Sequence, residues 1–161
     1  MKPQSTLLTA LSVCLLFFSC SKKEDPGIEK ANAKKIVQKL YRSFESKDIG
    51  LMSTIMAHDE DMVNFGTDVT EHEVGWKEWE KSHLAQFEAI DKAKLTSKDL
   101  TVFLSKSGDV AWFSDITDWN LVIQNDSLDI NNIRITGVLE KRDAEWKIVQ
   151  VHASVPQGQG E

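Results

Sequence analysis

The chain has 161 residues, of which 41% are hydrophobic and 27% charged, and its net charge is −6. This composition is typical of one globular domain and excludes a fibrous or largely disordered chain. The acidic balance, without a stripe of lysines and arginines to reverse it, argues against nucleic acid as a partner.

The N-terminus has the pattern of a signal peptide over residues 1–19. Lys2 supplies a positive charge, and an apolar run then extends from Leu7 to Phe18, too short to span a bilayer. Ser19-Cys20 follows at once and resembles the lipobox of bacterial lipoproteins, with Cys20 as the lipidated residue. The alternative is an ordinary secretory signal with an incidental cysteine. We expect a protein of the bacterial cell envelope, on its periplasmic face or on the cell surface, that meets the membrane only through its lipid.

The segment after the predicted signal, 20–27, is polar and reads as a short tether. The two cysteines, Cys14 and Cys20, both fall in or at the signal. The mature domain is therefore expected to lack disulfides and cysteine metal sites, and to be stable through packing alone.

Three helices are predicted in the first half of the chain. An amphipathic helix is expected from Ile28 to about Ser46, and Asp48 can cap a shorter helix that runs through Met56. A third helix is expected over 75–89. Its apolar stripe has helical spacing and consists of Trp76, Trp79, His83, Phe87 and Ile90.

Between the second and third helices, 62–65 is predicted as a short strand and 66–75 as a loop. His58 lies in an acidic segment that ends at Asp61. Carboxylates and imidazole are both metal ligands, but no second ligand cluster follows at motif spacing. A solvated turn is the preferred interpretation, and we expect neither a metal site nor a cofactor.

From residue 93 onwards the apolar period changes to two, which predicts strands. Four long antiparallel strands are expected at 95–104, 110–124, 130–141 and 145–155, with a possible irregularity in the first at Lys98-Asp99. Turns are expected at 125–127 and 143–144, and 157–161 is expected to be a disordered tail. Helices first and strands last predict an α+β domain. A long antiparallel sheet curls, and helices that cover its concave face would leave a cleft in which ligands bind.

Five stretches of the chain have a characteristic order and spacing: Val63–Gly66, Val74–Trp76, Gly108–Trp112, Arg134–Arg142 and Trp146–Ser154. On these stretches the chain resembles the SnoaL-like branch of the nuclear transport factor 2-like superfamily over residues 28–156. The resemblance implies a cone, in which three N-terminal helices pack on a strongly curved antiparallel sheet around a deep pocket. It also implies dimers that form through the outer sheet face. The superfamily includes polyketide cyclases, ketosteroid isomerases, dehydratases and members with no activity, so the fold does not decide catalysis.

Candidate pocket residues follow from alternation along the strands. On the last strand, Gln150 and His152 share a face with Trp146 and Ile148, which places His152 beyond an apolar half. His152 is the preferred catalytic acid or base because imidazole titrates near neutral pH. Asp118 is the second candidate, chosen over Asp115 on the opposite face. The full predicted pocket comprises Trp76, Trp79, His83, Trp112, Arg134, Thr136, Gln150 and His152.

Three classes of function remain open. The pocket could bind a small, partly apolar molecule, and an inward Arg134 would favour a carboxylate on it. The protein could be a cyclase, isomerase or hydratase with His152 or Asp118 as general base. It could also be a dimeric protein-interaction module whose pocket is vestigial and filled by tryptophans. We expect a homodimer through the convex sheet face, towards which Val149 and Val151 are predicted to point.

Overall fold

The computed structural model describes residues 25–156 and 158. The predicted signal peptide, the predicted lipidation site Cys20 and most of the predicted tail lie outside these residues. The helices are α1 (Pro26–Ser46), α2 (Ile49–Ile55) and α3 (Trp76–Ala89). The strands are β1 (Val63–Phe65), β2 (His72–Val74), β3 (Ile90–Ser97), β4 (Thr101–Leu104), β5 (Val110–Ile123), β6 (Asp126–Arg142) and β7 (Glu145–Ser154).

The helix ends follow local capping chemistry. The Asp25 carboxylate accepts the backbone N–H of Gly27 at 2.7 Å, so α1 begins slightly earlier than predicted. Asp48 caps α2 as predicted, because its carboxylate accepts the N–H of Leu51 at 2.8 Å. Gly75 precedes α3 with φ 81°, and a Cβ there would lie 2.9 Å from the carbonyl oxygen of Glu60. The three predicted helices are confirmed.

The strands form one sheet of seven in the order β2-β1-β7-β6-β5-β3, and β4 also pairs with β5. The prediction of a curved sheet covered by three helices in an α+β fold is confirmed. The sheet is mixed rather than wholly antiparallel, because β1 runs parallel to β7 and pairs Phe65 with His152. The predicted loop 66–75 contains β2, which pairs with β1. Such short strands depend on distant partners, which local periodicity does not report.

The strand predicted over 95–104 is two strands. After Ser97 the chain leaves the β3 ladder, and the N–H of Asp99 donates to the carboxylate of Asp115 at 3.0 Å. The turn before β6 also differs from the prediction, since Gln124 and Asn125 both have positive φ and β6 begins at Asp126. The predicted turn at 143–144 is confirmed, with positive φ at both residues.

A bulge in β7 changes which residues face the helices. Val138 pairs with Gln150, while the next residue of β6, Leu139, pairs with Ile148, so Val149 is one extra residue in β7. Trp146 and Ile148 are buried before the bulge, and the inward positions after it are Val151 and Ala153. The expectation that His152 continues the Trp146 face is therefore wrong, and so is the expectation that Val151 points outwards.

Two faces of the sheet can now be defined. The inner face packs on α1 and α3 and includes Phe113, Asp115, Ile135, Val151 and Ala153. The outer face points away from the helices and includes Phe103, Trp112, Arg134, Thr136, Gln150 and His152.

No described helix is both long and apolar enough to cross a membrane.

Candidate functional site

A cavity of about 60 Å³ lies between α1, α3 and the inner face of the sheet. Its walls are mostly apolar. Residues of β1, the segment after it and β2 line one part of the cavity, and we call this part, which includes the partly exposed Gly66, Thr67 and Glu71, the mouth. The apolar lining residues are Leu40, Phe44, Phe65, Trp79, Leu95, Trp119, Ile135, Val151 and Ala153. The polar ones are Tyr41, Thr67, Glu71, Glu73, His83 and Gln86, and Gly66 completes the lining.

His83 brings an imidazole into this lining from the apolar stripe of α3. The side chain is 3% exposed, and its Nδ1 is 2.8 Å from the carbonyl oxygen of Trp79. That contact is a hydrogen bond only if Nδ1 carries the proton, which leaves Nε2 as an acceptor. Burial lowers the pKa of His83 to about 4, so the ring is neutral at physiological pH.

Tyr41 lines the cavity from α1 and forms a hydrogen bond with the buried carboxylate of Asp115. Its hydroxyl donates to Asp115 at 3.0 Å, and the other oxygen of Asp115 accepts the N–H of Asp99 at 3.0 Å. Burial and the neighbouring carboxylate raise the pKa of Tyr41 well above its ordinary value, so the phenol stays protonated. Both groups are therefore committed to a hydrogen bond that joins α1 to β5.

The mouth of the cavity is acidic. Glu71 accepts hydrogen bonds from Gln86 Nε2 at 3.2 Å and from the N–H of Asp68 at 2.9 Å. Glu73 is 8% exposed and accepts the hydroxyl of Ser82 at 2.8 Å. Gly66 permits this arrangement, since a Cβ there would collide with the Glu71 side chain.

Of the predicted pocket residues, Trp79 and His83 line the cavity. Trp76 is buried, but its ring stacks on His58 at 4.4 Å between ring centroids and does not line the cavity. The third helix therefore contributes two of the residues that its stripe suggested.

The other predicted pocket residues come together on the wrong face for a pocket. Thr136 pairs with His152 and Val138 with Gln150 across the β6–β7 ladder, as expected for neighbours, but on the outer face. Arg134 is exposed there, and its guanidinium donates to the carbonyl oxygen of Val155 at 3.1 Å. The predicted pocket residues that do not line the cavity because they lie on the outer face are Trp112, Arg134, Thr136, Gln150 and His152. The bulge at Val149 moves Gln150 and His152 to the outer face. Trp112, Arg134 and Thr136 lie on the outer face because the inward positions that alternate with them on β5 and β6 are filled mainly by apolar residues.

Asp118 is also placed differently from the prediction. Its carboxylate pairs with the ammonium of Lys98 and accepts the N–H of Asn132 at 2.9 Å. Lys98 and these hydrogen bonds hold the pKa of Asp118 below its usual range. The inward aspartate of β5 is Asp115, because it shares its face with Phe113 and Thr117.

Sequence reasoning missed Tyr41, Asp115, Glu71 and Glu73 as site residues. Tyr41 lies on the apolar stripe of α1, and Asp115 alternates with Phe113, so both could have been suspected from spacing. The two glutamates carry no such signal, because their position depends on the pairing of β2 with β1.

In the part of the chain that the structure describes, no three His, Cys, Asp or Glu side chains come together as ligands for a metal ion.

Comparison with solved structures shows the same fold in proteins of very different sequence. A nuclear transport factor 2-like superfamily protein from Salmonella enterica is 17% identical, with a TM-score of 0.75, and the match covers 85% of this chain and 99% of the other. A candidate aromatic ring hydroxylase from Novosphingobium aromaticivorans is 13% identical (TM-score 0.71; 82% and 92% covered). A candidate ketosteroid isomerase from Shewanella frigidimarina is 18% identical (TM-score 0.63; 78% and 97% covered). At these identities the likeness establishes the fold alone.

No curated protein matches this sequence. The model of the SnoaL-like domain family matches residues 33–158, nearly the whole of the region in which the resemblance was expected. The matched residues include most of α1, both other helices and all seven strands. The chain belongs to the SnoaL-like domain family and has the nuclear transport factor 2-like fold.

Proposed function

We propose that this protein binds a small, mainly apolar molecule in the cavity between α1, α3 and the inner sheet face. The observation that carries the proposal is a largely apolar lining around His83, whose Nε2 makes no hydrogen bond to any described residue. Such a lining with a few polar groups is the usual composition of a ligand site. This Nε2 nitrogen supplies a fixed acceptor that orients the occupant.

The size of the cavity limits the buried part of the ligand. Its volume of about 60 Å³ is well below the roughly 150 Å³ of an apolar cavity that admits benzene. A short alkyl group fits, whereas a ring would require movement of the side chains that line the cavity. The expectation of a carboxylate on the ligand depended on an inward Arg134, and Arg134 lies on the outer face.

General acid–base catalysis is less well supported than binding. A general base works best with a pKa near the operating pH, and that of His83 is about 4. Tyr41 and Asp115 are engaged with each other. His152 and Asp118, the candidates from the sequence, do not line the cavity.

The binding proposal is tested with n-butanol, titrated while the indole N–H signals of isotope-labelled protein are followed by NMR. Trp79 and Trp119 line the cavity, so their signals should shift and saturate. Ala153→Leu adds bulk to the wall and should weaken binding at least tenfold, whereas Ala85→Leu on the exposed side of α3 should not. Equal affinities in a folded Ala153→Leu variant, or no saturable shift in the wild type, would contradict the proposal.

A second function is association of two copies through the outer face. Phe103 and Trp112 are 44% and 45% exposed and stack at 5.8 Å between ring centroids. Phe65, 43% exposed, lies on the same face beside His152. Exposed aromatic side chains of this kind are enriched at protein interfaces. These aromatic side chains replace Val149 and Val151 as the expected contacts of a homodimer.

We also propose that Cys20 is lipidated and holds the domain at a membrane of the bacterial cell envelope. The support is the sequence of the apolar run and Ser19-Cys20. Metabolic labelling with an alkyne-bearing fatty acid should mark the wild-type protein and leave Cys20→Ser unmarked. Equal labelling of the two proteins would exclude this site.

A further inference from the structure

Four of the six polar side chains that line the cavity offer hydrogen-bond acceptors to a bound molecule. His83 offers the lone pair of Nε2, Tyr41 offers its oxygen, and Glu71 and Glu73 offer carboxylates. Of the other two, Gln86 already donates to Glu71 and Ser82, and Thr67 carries a hydroxyl that can donate or accept. No lysine or arginine is among the described residues that line the cavity. A ligand that matches these groups must bring donors rather than acceptors.

The carboxylate of Glu73 adds an electrostatic reason for a ligand that brings donors. Its side chain is 8% exposed, its hydrogen bond comes from the neutral hydroxyl of Ser82, and no described cation forms a salt bridge with it. Removing a carboxylate from water without a cationic partner is unfavourable. A positively charged group at the mouth would relieve this cost, and Glu71 on the same rim would add to the attraction.

His83 gives a second and independent indication of the same chemistry. The ring is 3% exposed and lines the cavity, and its Nδ1 is occupied by the carbonyl oxygen of Trp79. Nε2 is therefore the one ring nitrogen available to a bound molecule, and it can only accept while the ring is neutral. An ammonium group carries three N–H donors and no acceptor, which suits this set of partners.

We propose that the ligand of this cavity is a primary amine with a short alkyl chain, bound as the ammonium ion. The inference rests on the proposed binding function and names the chemical class that the site selects. The alkyl chain occupies the space between Leu95, Ile135 and Val151, and the ammonium lies on the side of Glu71 and Glu73. Anionic molecules of the same shape are disfavoured by both carboxylates.

Three probes of matched chain length test the charge preference: n-butylammonium, n-butanol and butyrate. Each is titrated at constant ionic strength near pH 7.5, with the indole N–H signals of Trp79 and Trp119 as the readout. Butylammonium is expected to bind at least threefold more tightly than butanol and at least tenfold more tightly than butyrate. Glu73→Gln should reduce the advantage over butanol to less than twofold.

Glu88→Gln is the matched control, because Glu88 is an exposed residue of α3 and its substitution changes the net charge equally. Glu71→Gln provides a second rim variant if Glu73→Gln does not fold. Butylammonium binding no better than butanol, or an equal effect of Glu88→Gln and the rim variant, would overturn the amine inference while leaving the binding function intact. Failure of all three probes to bind would overturn both.

Discussion

The two faces of the sheet differ in whether their polar groups are buried with hydrogen-bond partners or exposed to water. Asp115 on the inner face and His83 on α3, which packs on that face, are almost fully buried, and each has a defined hydrogen bond. On the outer face His152 is exposed and Arg134 bonds a single backbone carbonyl. Buried polar groups need partners because their desolvation is costly, whereas exposed ones are solvated by water. Loss of the inner groups should therefore reduce stability, and the ligand chemistry that we propose depends on them. The self-association that we propose depends on the outer face.

Residues that face opposite sides of the sheet can be neighbours in the sequence. His152 and Val151 are adjacent, yet one is exposed and the other buried. The single extra residue at Val149 decides which of them faces the helices. Substitutions on the two faces should therefore affect stability, association and ligand binding differently.

The largest effect is expected for Asp115→Ala. It should lower the free energy of unfolding by about 3–5 kcal/mol, because Asp115 accepts two hydrogen bonds and each bond to a charged acceptor contributes about 1.5–3 kcal/mol. Urea denaturation measures the change. Asp118→Ala serves as the control with a clearly smaller decrease, and equal losses would contradict the assignment of Asp115 as the inward aspartate.

The next effect is the pH dependence contributed by His83. Its pKa is about 4 in the folded protein against 6.5 for an ordinary histidine, so the unfolded chain takes up a proton that the folded protein excludes. This stability is fully present above pH 6.5 and is lost as the pH falls towards 4, by about 3 kcal/mol in total.

Urea denaturation at intervals between pH 7 and pH 4 measures this slope. His83→Gln should remove most of it within that window, and His152→Gln on the outer face should leave it unchanged. A wild-type slope that persists in folded His83→Gln would show that another group is responsible.

Trp112→Lys should leave the unfolding free energy of the monomer within about 1 kcal/mol of the wild type, because Trp112 is 45% exposed. It should nevertheless weaken self-association at least tenfold, since it places a charge in the proposed apolar interface. Sedimentation equilibrium measures the association. Val69→Lys is the control because Val69 is 96% exposed and does not belong to the outer face as defined here. A wild-type protein that is monomeric at 100 micromolar would rule out the homodimer.

The smallest effect is expected for His152→Ala. Exposed substitutions of this kind change stability by less than about 0.5 kcal/mol, and the affinity for n-butanol should be unchanged because His152 does not line the cavity. Thermal unfolding and the NMR titration check both values. A marked loss of butanol affinity would restore the pocket role expected from alternation along β7.

Sequence patterns predicted the helices and the long strands because their causes are local. The apolar stripe of α1, the Asp48 cap and the turn at 143–144 each depend on residues within one or two turns of chain. The same stripe logic correctly brought Trp79 and His83 to the cavity. Prediction failed for β2 and for the parallel pairing of β1, since both depend on partners elsewhere in the sheet.

The amino-acid sequence by itself determined the α+β order, the family and the apolar character of the surfaces that pack together. It also determined that Arg134, Thr136, Gln150 and His152 are neighbours on adjacent strands. Only the tertiary structure decided on which side of the sheet that group lies. A β-bulge reverses the facing of every later residue in its strand, and it arises from the register between two strands rather than from the composition of either one. The acceptors His83, Glu71 and Glu73 likewise became one site only when the helix, β2 and the sheet closed around the cavity.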